Sequence, residues 1–331
     1  EYTQKFGKQQ GKYYVPQRAA AGLDPWATPQ AYDNAKDFFD TGITWSNSLN
    51  VAQMLDKSSY SISLGNTHQD GIISSTGMDR YNVKVSADTK LTNNWSSGFT
   101  ANYITTSIDK AVTSGNGLLR TVYAAPPSYD LAGIPSHVDG NPYTQNSFRG
   151  SFDNAYWAME NNKFTEDTNR FFGNVYASYQ TDFGTTNHKL NAKYMVGVDA
   201  YTTHYVDSYG YGSNTGGGRG QIENYGWTNA TYNSLLTINY DWRINEDWGL
   251  NAVLGNEIIQ SNRKKYYEYG TNYNFPGWNH INNATTQQTE EETWKNRTVG
   301  FFGNVSASYK NMLYLTLTGR QDYVSNMPRN N

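Results

Sequence analysis

The chain has no cysteine. Disulfide frameworks, thiolate metal centres and cysteine nucleophiles are therefore excluded. Charge is sparse. Charged residues make up 17% of the 331 residues, with 26 Lys and Arg against 29 Asp and Glu, a net of −3. No strongly basic surface follows, which argues against a nucleic-acid partner. No apolar run approaches the ~20 residues that a membrane helix requires, so a helical membrane protein is excluded. The chain opens on Glu1-Tyr2-Thr3-Gln4, with neither the basic start nor the apolar core of a secretory leader. The expectation is a mature chain or a part of a longer one.

Aromatic residues are abundant: 28 Tyr, 13 Phe and 9 Trp, together 15% of the chain. A sequence polar overall yet rich in Tyr and Trp suits a β-barrel in a bilayer, where only alternate strand residues meet lipid and aromatics gather at both interfaces. A soluble all-β protein with many tyrosines suits the same composition. Periodicity separates the two. Leu190, Ala192, Tyr194, Val196, Val198 and Ala200 fall on one face of a strand, opposite Lys189, Asn191, Lys193, Gly197 and Asp199. Trp248, Leu250, Ala252 and Leu254 oppose Asn251, Gly255 and Glu257. Leu313, Leu315 and Leu317 oppose Tyr314, Thr316, Thr318, Arg320 and Asp322.

Ten such segments occur, near 42–54, 58–71, 79–90, 93–107, 168–183, 187–205, 226–243, 247–266, 292–310 and 312–325. Most exceed the ~5–6 residues of a globular strand and match the ~9–11 that cross a bilayer at a tilt. Five connections are tight: Lys57 and its neighbours, Thr92-Asn93, Gly184 to Asn187, Asn245-Glu246, and Asn311. They alternate with longer ones at 72–78, 108–167, 206–225 and 267–291. Short turns at one end and long loops at the other predict an antiparallel transmembrane β-barrel; a sandwich would mix them. Tyr60, Trp95, Tyr179, Phe183, Tyr240, Trp242, Trp248 and Tyr309 lie beside the tight turns, where a periplasmic girdle belongs. Strand propensity explains why these rings are in strands, but not why they gather near one end.

Phe171-Phe172-Gly173-Asn174-Val175 recurs as Phe301-Phe302-Gly303-Asn304-Val305. Both open a strand that leads to a tight turn. Phe171, Val175, Ala177 and Tyr179 are expected outward, and Asn174 and Ser178 inward. Residues 1–41 differ. Pro16, Pro25 and Pro29 with Gly11 and Gly22 argue against strand, and Tyr32 to Phe39 suit a short helix or loop. The expected organisation is an extracellular loop region at 1–41 and outer-membrane barrel strands over 42–331. Ten strands leave two raw edges in lipid, so more strands are expected in the whole protein.

Several stretches carry a resemblance to a known family: Phe38-Phe39-Asp40-Thr41-Gly42; Tyr60-Ser61-Ile62-Ser63-Leu64, followed by Asp70-Gly71-Ile72-Ile73 and Asp79-Arg80-Tyr81-Asn82; and Val299-Gly300-Phe301-Phe302 with Leu313-Tyr314-Leu315-Thr316 and Gly319-Arg320-Gln321-Asp322. In this order, over residues 38–325, they resemble the SusC/RagA family of TonB-linked outer-membrane proteins. The resemblance implies all-β architecture, a barrel of about 22 strands around a plug, a SusD-like lipoprotein lid outside, and energy supplied through the TonB complex. The family's TonB box, plug, first strands and last strands are not among these residues.

No catalytic constellation stands out. His68, His137, His188, His204 and His280 do not pair at metal-ligand spacing, and no Gly-x-Ser-x-Gly elbow occurs. Gly216 to Gly220 lacks the Lys-Ser/Thr of a phosphate loop, and Glu290 to Glu292 reads as a solvated run. The chain is therefore not expected to be an enzyme or to carry a metal or cofactor. Arg320 and Asp322 should face the lumen or a plug, because charge facing lipid costs ~2–4 kcal/mol. Trp26, Tyr143, Tyr156, Trp157, Tyr209, Tyr211, Tyr225, Trp227, Tyr273 and Trp278 lie in the expected long loops. Flat rings suit sugars, and Tyr and Trp equally suit a lid interface, so these are candidates for substrate or lid contact. The leading expectation is an active importer of oligomeric nutrients, glycan fragments first and peptides second. Alternatives are a TonB-dependent receptor for metal chelates or vitamins and a non-transporting surface adhesin.

Overall fold

The computed structural model describes residues 8–9, 11–112 and 117–326. The remainder of the expected ranges, at 1–7, 10, 113–116 and 327–331, lies outside them. Ten long strands dominate: β1 (Thr44–Met54), β2 (Ser58–Asp70), β3 (Gly77–Lys90), β4 (Trp95–Lys110), β5 (Lys163–Thr181), β6 (His188–Tyr209), β7 (Gln221–Arg243), β8 (Trp248–Tyr273), β9 (Ala284–Tyr309) and β10 (Leu313–Val324). They form one sheet in which each strand pairs antiparallel with its sequence neighbours, from β1 at one edge to β10 at the other.

Register converts the period-two pattern into two faces. Leu49, Leu64, Val83, Tyr103, Phe171 and Ala200 are directly opposite one another across six strands. On the last pair, Val305 opposes Leu317, Ala307 opposes Leu315 and Tyr309 opposes Leu313. Leu313, Leu315 and Leu317 are 66%, 63% and 68% exposed, and no second sheet covers them among the described residues. These leucines are thus not the core of a sandwich. An apolar band this wide cannot stand in water, and a hydrocarbon surround satisfies it at no cost. No helix among the described residues is long and apolar enough to cross a membrane.

The opposite face is polar and cross-linked. Arg170 donates to both oxygens of Asp199 (2.9 and 2.6 Å), and the Tyr176 hydroxyl donates to Asp88 (2.6 Å). Arg320 lies on this face with its guanidinium 2.8 Å from both Asp322 and Glu257. Phe302 also points this way and lies over Gly255 on the neighbouring strand, where any Cβ would collide with the ring. The rings near the tight turns point outward instead. Trp95 stacks obliquely on Tyr179 with centroids 5.0 Å apart, and Trp248 on Tyr309 at 4.7 Å.

The tight turns occupy 55–57, 91–94, 182–187, 244–247 and 310–312. Their chemistry is local. Lys310 and Asn311 both adopt positive φ (51° and 53°), as a twisted two-residue hairpin turn demands, and Asn tolerates this best after Gly. The Asn245 side-chain Oδ1 accepts from the amides of Asp247 and Trp248 at 2.9 and 2.8 Å. At the other end the connections are 71–76, 111–162, 210–220 and 274–283.

Two expectations need correction. The loops expected at 206–225 and 267–291 shrink, because β6 to β9 run on well past the apolar band. Both faces are polar or aromatic there, so alternation fades while backbone pairing continues. Tyr209, Tyr225, Trp227 and Tyr273 are consequently strand residues. Residues 11–41 also hold short strands, Lys12–Tyr14 and Trp26–Ala27, where prolines had argued against any. Pro25 fits because its carbonyl, not its missing N–H, makes the bond, accepting from the Val15 amide at 2.8 Å.

The main apolar core lies outside the sheet, in a cap at the long-loop end. Helices α1 (Pro16–Ala20), α2 (Asn34–Phe38), α3 (Leu118–Ala124) and α4 (Ala155–Asn161) bury Val15, Phe38, Leu118, Val122, Leu131, Ile134 and Trp157 together. The Asn154 side chain caps α4 by accepting from the amides of Tyr156 and Trp157 at 3.0 and 3.2 Å.

Leu317→Arg in the full-length protein should cost ~2–4 kcal/mol of stability in lipid vesicles, because the cation meets hydrocarbon. Thr318→Arg, one residue on, should cost only about 1 kcal/mol, for the lost bond from Asn304. Urea titrations of vesicle-folded protein would measure both, and equal costs would contradict the two-faced register.

Candidate ligand-contact site at the long-loop end

Above the apolar band, the inward face carries a row of rings. Glu166, Tyr205, Tyr225, Tyr267 and Glu290 are directly opposite one another on β5 to β9. Tyr205 and Tyr225 stack at 4.8 Å with only 7° between planes, and Tyr267 follows at 6.3 Å. The Tyr225 hydroxyl donates to Asp207 (3.1 Å), which fixes its ring. Trp227 tilts against Tyr205 at 5.5 Å. The Arg263 guanidinium sits 5.2 Å from the Trp227 ring and 5.4 Å from the Trp294 ring. Lys110 lies 4.6 Å over Tyr205 and 3.4 Å from Glu166. Rigid π-faces alternating with fixed charges can hold apolar ring faces while hydrogen-bonding to hydroxyls or amides.

A cavity of about 360 Å³ adjoins this row. The sheet contributes Lys110, Phe164 and Tyr209 to its lining, and the cap contributes Leu118, Ala158 and Asn162. Its size falls within the ~300–1,000 Å³ of small-ligand pockets. Asp153 ties its walls together. Its carboxylate accepts from Gln145 (2.7 Å), from Ser213 (2.6 Å), and from the backbone and side chain of Asn214 (2.7 and 2.8 Å). Its carbonyl accepts from Thr121 (2.7 Å). One buried acid thus joins loop 111–162 to loop 210–220.

The residues singled out from sequence divide by environment. Trp157 and Tyr273 are fully buried and serve packing; the Trp157 indole donates to the Pro142 carbonyl at 2.8 Å. Tyr211 packs beside Tyr273 and Ile222. Tyr156 is half-buried against Phe38 at 5.3 Å, and burial, then the nearby Asp37, Asp130 and Asp40 carboxylates, push its phenol pKa up. Trp26 meets Tyr14 edge-on at 5.5 Å in the cap. The Tyr143 hydroxyl approaches Gly277 of the β8–β9 loop. Trp278 remains exposed and stacks on His280 at 4.9 Å. Tyr209 lines the cavity and Trp227 belongs to the ring row. Arg320 and Asp322 lie on the inward face, away from both. Sequence reading missed Lys110, Glu166, Tyr205, Arg263, Tyr267 and Trp294 in the row, and Asp153. The row residues share the inward parity of their strands, a signal that becomes visible only with the register.

No protein-family model matches the chain. A curated relative, TonB-dependent receptor P3 of Formosa agariphila, is 23% identical over 319 residues, covering 92% of this chain and 30% of that protein. Among solved structures, the RagAB peptide transporter matches with a TM-score of 0.74 at 15% identity, over 91% of this chain and 34% of that one. The RagAB peptide importer in its closed-closed state matches with a TM-score of 0.73 at 16% identity over the same shares. The chain therefore has a SusC/RagA-like β-barrel fold, as the sequence resemblance implied. It spans about a third of the length of the relatives it matches.

Asp153→Ala should free two loops at once, with a local loss on the order of 3 kcal/mol from stranded donors. Hydrogen exchange should rise in 141–162 and in 210–220 while β1 to β3 stay protected. Exchange confined to one loop would show that Asp153 does not join them.

Proposed function

We propose that the chain is the central wall of an active outer-membrane importer of oligomeric nutrients, energised through the TonB complex and closed outside by a SusD-like lipoprotein. The supporting observation is the strict division of ten paired strands into an outward apolar face and an inward polar one, with a ring row at the open end. The long-loop end is then the extracellular mouth, and the tight turns face the periplasm. A plug would meet the inward face, with Arg320, Asp322 and Glu257 among its contacts.

Glycan fragments are the first cargo in this reading. Tyr205, Tyr225 and Trp227 offer flat faces to the C–H side of pyranose rings, while Asp207 and Glu166 are placed for hydroxyls. Peptides are the second, favoured by structural neighbours described as a peptide importer and transporter. Uptake rather than turnover is the proposed activity.

Deleting the full gene should abolish growth on one class of oligomer, saccharide or peptide, and leave growth on the monomers intact. Undiminished growth and uptake on every oligomer of both classes would defeat the proposal. Tyr225→Ala with Trp227→Ala should weaken cargo binding by roughly 0.5–1.5 kcal/mol per ring, read by calorimetry on the purified complex. Pull-down of that complex should recover a lipoprotein.

A further inference from the structure

The lysines and arginines of the ten strands avoid the outward face. Four sit on it: Lys163 at the start of β5, and Lys264, Lys295 and Arg297 together on β8 and β9. The latter three climb from the upper edge of the apolar band, Arg297 one outward step above it, Lys295 two and Lys264 three. Ile258 opposes Val299, which opposes Tyr323 on β10; the next outward pair is Gln260 with Arg297, then Asn262 with Lys295, then Lys264 with Thr293. Successive outward positions are about 7 Å apart along a strand, so the cations form a ladder starting one step above Val299. Arg297 is held upright by Gln260, its Nε donating at 2.9 Å. Lys264 has one acidic partner, Glu291, at 2.8 Å. Lys295 is exposed and makes no ion pair among the described residues.

On β4, β5 and β6 the outward positions that follow the last apolar one are Thr105 and Ser107, Asn169 and Asp167, and Thr202 and His204, so these strands carry no such ladder. Cations placed where a membrane passes from acyl chain to headgroup attract anionic lipid. We propose that Lys264, Lys295 and Arg297 bind the phosphates of a phosphorylated, acylated glycolipid of the outer leaflet, with its chains along Ile258, Val299 and Phe301. The inference rests on the outer-membrane reading above. The apolar strip directly beneath the cations favours a lipid over a free phosphate, which has nothing to lay upon it.

The test uses the full-length protein reconstituted in phosphatidylcholine nanodiscs, with diphosphoryl lipid A as probe and native mass spectrometry as readout. The triple variant Lys264→Gln, Lys295→Gln, Arg297→Gln should bind about tenfold more weakly or worse, a few-fold per cation. Glu291→Gln removes the competing acid and should bind a few-fold more tightly. Fully dephosphorylated lipid should bind the native protein no better than the triple variant does. Excess inorganic phosphate should leave the lipid bound; complete displacement would make this a free-ion site and overturn the lipid assignment. Unchanged binding by a triple variant that still inserts as a heat-modifiable barrel would sink this inference alone. Failure of the native protein to insert at all would sink the barrel reading with it.

Discussion

Backbone hydrogen bonding in an apolar surround is the constraint on which everything else depends. A peptide group facing hydrocarbon has no water to bond, so each strand must be satisfied by its neighbours. Pairing along nine ladders is the result, and in the longest, between the 26-residue strands β8 and β9, it runs without a gap from Trp248 to Thr271. Once pairing is fixed, register is fixed, and one slipped residue would turn Leu313, Leu315 and Leu317 inward and Arg320 and Asp322 into lipid. The polar links of the inward face, such as Arg170 to Asp199, reinforce the same alignment. The division into two faces is thus a condition of folding.

The strands were legible because that division writes itself into sequence with a period of two. The segment read at 187–205 and the strand His188–Tyr209 begin within a residue of each other. Their far ends differ because alternation needs contrasting solvents on the two faces. Past the apolar band β6 to β9 meet water and polar cap on both sides, and Tyr205, Tyr225 and Tyr267 no longer alternate with apolar residues. The ring row could not be read for a related reason. Its members are far apart in sequence and meet only through the register of four hairpins.

The cap was the least legible part. Its core gathers Phe38, Leu118 and Trp157 from three separate stretches, each without regular periodicity. Trp157 looked like a contact residue because a tryptophan in a long loop is conspicuous. In the structure it is the cap's central packing group, and the surface it supports does the contacting. The inward charges of β10 were easier to place, since lipid would not tolerate them.

The unequal strands give the mouth a direction. β1 has 11 residues and β9 has 26. At ~3.3 Å per residue the difference is about 50 Å of ribbon, though tilt takes up part of it. The parapet therefore climbs steadily around this part of the rim, from a sill beside β1 to a tall flank at β8 and β9. The cap, joined to the β2–β3 connection by the pairing of Phe39 with Ile73, stands on the low side, and the tall flank rises apart from it.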